Sequence, residues 1–169
     1  MPSNYEFEGF RSTDTEKDEL ADYVLQGDAH RDQRVGFSRS YIVEASDGRL
    51  IGYFSLMADT IKLSRGEQTV GVPYFSAPAL KIARLAVSVE FQGRGIGNEL
   101  LAYVKGLAQD LRRAIGVRYL SLDSVEDKVG WYSARGFVLN SEASDSYEGD
   151  HETGERSMRF DLGPLLDEA

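Results

Sequence analysis

The hydrophobic positions in the first quarter of the chain predict a strand and two helices. Residues 4–10, NYEFEGF, alternate aromatic and acidic side chains, which is typical of a half-buried strand. Thr13 or Asp14 can cap a helix that ends near Gln26. Within this range, apolar side chains recur on one face of the predicted helix. Residues 27–39 are polar and fit a short second helix.

The middle of the chain changes from strand-like to helix-like spacing. Residues 41–58 form two apolar, β-branched runs around an Asp-Gly pair, which predicts a hairpin. After a long connection, residues 80–89, LKIARLAVSV, are almost continuously apolar, as in a strand buried on both faces. From Gly97 to about residue 115 the apolar positions recur at helical spacing.

The remaining residues predict a return to the sheet. Residues 117–122, VRYLSL, fit a strand, and residues 126–134 fit a short helix that Gly136 ends. Two final strands are expected at residues 137–139 and 158–162. The resulting order, β-α-α-β-β-β-α-β-α-β-β, predicts a mixed sheet of the α/β class with helices on both faces. No repeat or linker interrupts the chain, so we expect a single domain over residues 1–169.

Composition restricts the chemistry. Hydrophobic residues make up 41% and charged residues 28% of the chain, which are ordinary values for a globular protein. The absence of cysteine excludes disulfides, thiolate metal sites and cysteine nucleophiles, and with only His30 and His151 no metal site is expected. No apolar run reaches the roughly 18 residues of a membrane helix, and no signal peptide is visible. We therefore expect a cytoplasmic protein without a membrane partner.

The charge is unevenly distributed along the chain. The net charge of −9 argues against a broad nucleic-acid surface. Residues 61–120 carry nine basic and four acidic side chains, whereas six basic and twelve acidic ones precede them and four basic and twelve acidic ones follow. The pattern fits either an uneven distribution of surface charges without a function or an anionic ligand bound by the basic middle third.

Three glycines, Gly93, Gly95 and Gly97, lie between the buried strand and the long helix. A helix start leaves backbone N–H groups without intrahelical partners, and glycines let a ligand approach them. The segment therefore predicts a phosphate site or, without a ligand, a tight turn. It does not fit a Walker loop, because Lys followed by Ser or Thr is missing, and its G-x-G-x-G spacing differs from the dinucleotide G-x-G-x-x-G.

Three segments together resemble the GNAT (GCN5-related) N-acetyltransferases. Gln92 to Gly97, QGRGIG, matches the family motif Q/R-x-x-G-x-G/A, the preceding RLAV at residues 84–87 resembles its fourth strand, and WYSARGF at residues 131–137 resembles its F-Y-x-x-x-G-F segment. The resemblance implies the GNAT fold, with six to seven mostly antiparallel strands, about four helices on both faces, and splayed fourth and fifth strands.

The resemblance also implies a site for acetyl-CoA as co-substrate. Backbone N–H groups of the glycine loop would bind its pyrophosphate, with Arg94 either contacting a phosphate or remaining solvated, and a strand backbone would pair with its pantetheine arm. Many relatives hold this arm with an Asn where this chain has Val125, so the contact is missing or is supplied by Ser124. The predicted acetyl-CoA-binding residues are Leu85, Ala86, Val87, Gln92, Gly93, Arg94, Gly95, Ile96, Gly97, Asn98 and Ser124.

Acetyl transfer to an amine needs an acid for the leaving thiolate and a route for the amine's proton. The resemblance implies that Tyr132 is the general acid, against the alternative of a core tyrosine bonded to backbone. Asp123 and Glu90 are the nearest candidates for the general base. Asp123 could equally pair with Arg84, and Glu90 could simply face solvent.

The acceptor has three interpretations. Residues 141–155 are acidic, which favours a primary amine on a small cationic molecule or a protein as acceptor, although the segment could be a solvated loop. In this interpretation the amine attacks the acetyl thioester directly in a ternary complex. A narrower resemblance to the GNAT toxins of toxin–antitoxin pairs implies transfer to aminoacyl-tRNA, the one nucleic-acid partner considered. A non-catalytic acyl-CoA-binding module is the third interpretation. A homodimer is possible.

Overall fold

The computed structural model describes residues 7, 9–68, 71–140 and 154–164. In these ranges it contains six strands, four α-helices and one 3-10 helix at Val89–Phe91. In chain order the other elements are α1 (Glu19–Leu25), α2 (Asp28–Arg34), β1 (Arg39–Glu44), β2 (Leu50–Lys62), β3 (Ser76–Val87), α3 (Ile96–Leu111), β4 (Tyr119–Val125), α4 (Glu126–Ser133), β5 (Val138–Leu139) and β6 (Glu155–Asp161).

The six strands form one sheet in the order β1-β2-β3-β4-β6-β5. β3 and β4 run parallel, whereas β1–β2, β4–β6 and β5–β6 are antiparallel pairs. This mixed, mostly antiparallel sheet with four helices confirms the predicted fold class. The contacts divide the chain into two compact units, the first comprising residues up to Met57 with Ile82–Val104, and the second comprising Ala58–Lys81 with the residues from Lys105 onward. The single domain over residues 1–169 stays a prediction.

The first unit contains the predicted hairpin. Arg39 pairs with Leu56 at one end and Glu44 with Leu50 at the other, with one register irregularity near the turn. Gly48 has a φ of +85°, the left-handed conformation that the Asp-Gly signal predicted.

Helices cover both faces of β2 within this unit. On one face Tyr53 contacts the rings of Phe10 and of Tyr23 from α1, at centroid distances of 6.0 and 6.3 Å. On the other face Phe54 packs against Tyr103 of α3. The eight buried residues of the first of these clusters are Phe10, Ala21, Tyr23, Val24, Ala29, Leu50, Tyr53 and Ala86.

Helix α1 begins later than its sequence predicted. Its N-cap is Asp18 rather than Thr13 or Asp14, and the Asp18 carboxylate accepts hydrogen bonds from the backbone of Ala21, Ser12 and Thr13. Burial raises the pKa of Asp18, but these hydrogen bonds and one from the Ser12 hydroxyl outweigh it, so the pKa is lowered overall. Thr13 and Asp14 therefore belong to the turn that the cap organises.

The second unit is built on β4. All seven residues of β4 pair with β6, from Tyr119 opposite Asp161 to Val125 opposite Glu155, and its parallel pairing with β3 covers Ala79–Lys81. Leu120 and Leu122 are almost completely buried. The splaying of the family's fourth and fifth strands, which correspond to β3 and β4, stays a prediction.

Other predicted boundaries shift by a few residues. β2 extends to Lys62 and β3 begins at Ser76, so the connection between them is shorter than expected. α3 ends at Leu111 instead of near residue 115, because the N–H groups of Ala114 and Ile115 both donate to the Leu111 carbonyl in a closing turn.

Two predicted features fall largely on residues that are not described. Most of the predicted strand at residues 4–10 is outside the described ranges, and Phe10 inside them is a buried core residue that belongs to no strand. Residues 141–153 of the acidic segment are also outside these ranges. Within the described part, no helix combines the length and apolar character that crossing a membrane requires.

Candidate active site

The glycine loop connects β3 to α3 through two left-handed residues. Gly93 and Gly95 have φ values of +73° and +85°, which L side chains rarely adopt. A Cβ at either position would meet nothing within 4 Å. The backbone conformation, rather than crowding, therefore requires glycine here, and the space beside both residues is open to a ligand.

Five consecutive backbone N–H groups in this loop have no acceptor among the described residues. The N–H groups of residues 93–97 donate to no acceptor in the described ranges. At the two ends of the predicted set, the N–H of Gln92 donates to the Ser88 carbonyl at 3.1 Å and that of Asn98 to the Gly95 carbonyl at 2.9 Å. Binding of the pyrophosphate by this set stays a prediction. The unbonded N–H groups lie at the positive end of the 16-residue helix α3, an arrangement that suits an anion.

The side chain of Gln92 has a structural role that its position in the motif did not reveal. Its Nε2 donates to the carbonyl oxygens of Val87, at 2.9 Å, and Ser12, at 2.8 Å. Gln92 thus links the loop to the end of β3 and to the segment before α1.

The two arginines beside the loop differ in their ion pairing. Arg94 is exposed and its guanidinium lies 5.4 Å from the centre of the Phe91 ring. Arg49 lies 5.3 Å from the same ring and is engaged by Glu90 and Asp47. A contact between Arg94 and a phosphate stays a prediction.

Leu85, Ala86 and Val87, the predicted pantetheine residues, close β3. The side chains of Leu85 and Val87 are partly buried, whereas Ala86 belongs to the core of the first unit. A Cβ built at Gly52 of β2 would lie 2.6 Å from the Ala86 carbonyl oxygen, so only glycine allows β2 to pass here.

Tyr132, the predicted general acid, lies in the second unit on α4. Its ring contacts Trp131 and Phe137 edge-on, at centroid distances of 4.9 and 5.6 Å. Burial raises the pKa of the Tyr132 phenol to about 12. No residue in the described ranges forms a hydrogen bond with the Tyr132 hydroxyl. In the alternative, a core tyrosine, this hydroxyl would be bonded to a backbone group.

The two candidate bases are both engaged in ion pairs. Asp123 pairs with Lys81 at 2.5 Å, which corrects the suggestion that it pairs with Arg84. Glu90 is exposed and pairs with Arg49 at 2.7 Å. The side chains of Asp123 and Glu90 are 36% and 59% exposed, so neither carboxylate is enclosed in a pocket.

Ser124 and Val125 lie at the junction of β4 and α4. Ser124 is buried and its hydroxyl donates to the Val125 carbonyl at 3.0 Å. Val125 is the N-cap of α4 and supplies no side-chain hydrogen bond to it. A contact of Ser124 with the pantetheine arm stays a prediction.

Among the described residues, no three His, Cys, Asp or Glu side chains are grouped so that they could hold a metal ion.

Comparison with known proteins gives a family and a fold. A family model described as the acetyltransferase (GNAT) domain matches residues 36–139, more than half of the chain. The tRNA-acetylating toxin of Mycobacterium tuberculosis (strain ATCC 25618 / H37Rv) is 28% identical over 109 residues. That match covers 62% of this chain and 60% of the toxin.

Solved structures of bacterial toxins share the fold. AtaT complexed with acetyl-methionyl-tRNAfMet has a TM-score of 0.75 at 21% identity, covering 93% of this chain and 88% of that one. AtaTR bound with AcCoA has a TM-score of 0.72 at 21% identity, covering 95% and 89%. A crystal structure of a bacterial toxin reaches 0.76 at 17% identity, covering 94% and 85%.

Proposed function

The chain belongs to the GNAT acetyltransferases, as its motifs indicated, and we propose that it transfers an acetyl group from acetyl-CoA to the α-amino group of an aminoacyl-tRNA. The observation that carries the donor half is the run of unbonded N–H groups at residues 93–97. The acceptor half is supported by the similarity to the tRNA-acetylating toxin and to AtaT in complex with acetyl-methionyl-tRNAfMet.

Donor binding follows from the geometry of the first unit. The N–H groups of residues 93–97 would bind the pyrophosphate, and the start of α3 would add its partial positive charge. The exposed Arg94 would contribute a charge-assisted hydrogen bond. The backbone of Leu85 and Val87 would hold the pantetheine arm like an added strand. Acetyl-CoA supplies the activated acetyl thioester.

Tyr132 would protonate the leaving thiolate. With a pKa of about 12, its phenol stays protonated at neutral pH. A thiol has a pKa near 8.5 in water, so proton transfer from such a phenol is unfavourable there. Desolvation raises the basicity of a thiolate just as it raises that of a phenolate. In the buried surroundings of Tyr132, the pKa of the leaving thiol would therefore be closer to that of the phenol. The hydroxyl has no competing acceptor among the described residues.

The state of the candidate bases favours an α-amine as acceptor. An α-amino group has a pKa of about 7.7–8.0, so a substantial part of it is already neutral near pH 7.5. A lysine or polyamine nitrogen has a pKa near 10.4 and needs a base or a desolvated site to lose its proton. Asp123 and Glu90 are ion-paired, and their side chains are 36% and 59% exposed, which suits an acceptor amine that needs no base to lose its proton.

A thiol-release assay with acetyl-CoA tests the proposal. The acceptors are charged tRNA, the same tRNA after deacylation, a polyamine, an aminoglycoside and a lysine peptide. We expect release only with charged tRNA, in equal amount to the acetylated aminoacyl group recovered. Release with the polyamine or the lysine peptide alone would overturn the acceptor, and acetyl-CoA binding without any release would favour a non-catalytic module. A homodimer stays a prediction for sedimentation velocity.

A further inference from the structure

Arg84 is a partly buried cation on β3, three residues before Val87. Its neighbours on the same strand face, Ile82 and Ala86, are buried. Its guanidinium stacks on the ring of Tyr23, with its carbon 3.6 Å from the ring centre. The Tyr23 hydroxyl is held in turn by Asp32, at 3.2 Å, and Ser38, at 3.0 Å, so the aromatic support is fixed.

The stacked guanidinium has no anionic partner in the part of the chain that the structure describes. Across the part of the chain that the structure describes, no oxygen accepts a hydrogen bond from the Arg84 side chain, and no carboxylate pairs with it. The two carboxylates whose pKa it helps to lower, those of Glu19 and Asp32, are bonded to Lys17 and Arg31. Five guanidinium donors are thus held in one orientation beside an aromatic ring with no acceptor supplied by the described residues.

We propose that Arg84 binds a phosphate oxygen of the acceptor and thereby orients the acceptor's amine. This inference rests on the proposed function and deepens it. Three residues of strand span about 10 Å, so the backbone of Arg84 lies about that far from the backbone of Val87, to which we assign the pantetheine arm. This separation leaves room for part of a nucleotide between the two residues. A planar guanidinium suits a phosphate, and it repels a polyamine.

Kinetics with paired acceptors test this assignment. Arg84→Gln removes the charge, Arg84→Lys keeps it without the planar fork, and Arg34→Gln, at an exposed position on α2, removes the same charge elsewhere. The acceptors are methionyl-tRNA and methionine methyl ester, which has no phosphate. We expect Arg84→Gln to raise the KM for methionyl-tRNA about tenfold or more, Arg84→Lys to raise it less, and Arg34→Gln to leave it unchanged.

The controls in this experiment separate acceptor binding from structural damage. With Arg84→Gln, the KM for acetyl-CoA and the rate with the methyl ester should stay at the wild-type value. An equal loss with both acceptors, or no loss with methionyl-tRNA, would overturn the role of Arg84.

A binding measurement decides the assignment even if no acceptor is acetylated. Adenosine monophosphate is titrated into ¹⁵N-labelled protein saturated with CoA, so that the glycine loop is already occupied. The Nε–Hε signal of Arg84, assigned by its loss in Arg84→Gln, should shift with AMP and not with adenosine. An unmoved signal would overturn the inference. A shifted signal without acetylation of any charged tRNA would leave it standing and overturn the proposed acceptor.

Discussion

The side-chain amide of Gln92 donates a hydrogen bond to the carbonyl oxygen of Val87, at 2.9 Å, and so ties the glycine loop to the end of β3. The two residues belong to the two segments assigned to the donor, the pyrophosphate loop and the pantetheine strand. A single amide therefore sets the distance between them, and its second hydrogen bond, to the Ser12 carbonyl, fixes the loop to the chain that precedes α1.

Replacing Gln92 by Glu should weaken donor binding with little effect on the chemical step. A carboxylate cannot donate to the carbonyl oxygens of Val87 and Ser12, and it adds negative charge beside the pyrophosphate site. We expect the Kd for CoA to rise at least about fivefold, equivalent to about 1 kcal/mol, in calorimetric titrations. Gln33→Glu is the control, since Gln33 lies on α2. Unchanged CoA affinity would contradict this role of Gln92.

Tyr132→Phe should lower kcat without lowering stability. A general acid contributes about 10²–10⁴ to the rate, so kcat should fall by a factor of that order while the KM for acetyl-CoA stays constant. The hydroxyl has no hydrogen bond among the described residues, so its removal costs no folding contact. Steady-state kinetics and thermal unfolding of the same preparation test both statements. A normal kcat would remove Tyr132 from the mechanism.

Gly52→Ala should destabilise the chain where β2 passes β3. The added Cβ would lie 2.6 Å from the Ala86 carbonyl oxygen and 3.4 Å from the Val87 Cα, and neither backbone atom can move independently. We expect a loss of about 1–3 kcal/mol in the free energy of unfolding, typical of overpacking.

Gly106→Ala is the matched control for that substitution. Gly106 is exposed within α3, and a Cβ there would meet nothing within 4 Å. Alanine should stabilise the helix by about 0.5–1 kcal/mol. Denaturant unfolding of both variants checks the pair, and equal effects at the two positions would contradict the close approach of β2 to β3.

Stability should fall as the pH rises above 10. The neutral Tyr132 phenol has a folded pKa of about 12 against 10.0 for a free tyrosine, and burial also raises the pKa of Tyr53. Between those values the folded chain binds more protons than the unfolded chain. The stabilisation is complete below pH 10 and is lost as the pH rises through 12. Tyr132→Phe should reduce this slope by up to about 1.4 kcal/mol per pH unit. An identical slope in the variant would contradict the burial of Tyr132.

Local signals in the sequence were sufficient for much of the fold. The hairpin turn, the strand at β3, the start of α3 and the glycine that ends α4 each depend on residues adjacent in the chain. The cap of α1 was misplaced because Thr13, Asp14 and Asp18 can all cap a helix. Only the hydrogen bonds that the Asp18 carboxylate accepts from the N–H groups of Ser12 and Thr13, made when the chain folds back, select among them.

The site was predictable in its backbone and much less so in its side chains. The spacing of Gly93 and Gly95 locates the unbonded N–H groups, because their conformation is a local property. The hydrogen bond from Gln92 to Ser12 spans 80 residues and the Lys81–Asp123 pair spans 42, so no spacing rule reveals them. The stacking of Arg84 on Tyr23 also joins residues far apart in the chain, and the sequence suggested only Asp123 as a partner of Arg84.

A competition between acceptors in one reaction decides whether the α-amine of an aminoacyl-tRNA receives the acetyl group. The protein, labelled acetyl-CoA, methionyl-tRNA, N-formylmethionyl-tRNA and spermidine are incubated together, and the products are digested and resolved by mass spectrometry. We expect label on the α-amino group of methionyl-adenosine, none on the blocked formyl form, and one CoA thiol released per label. Label on spermidine with methionyl-adenosine unmodified would contradict it.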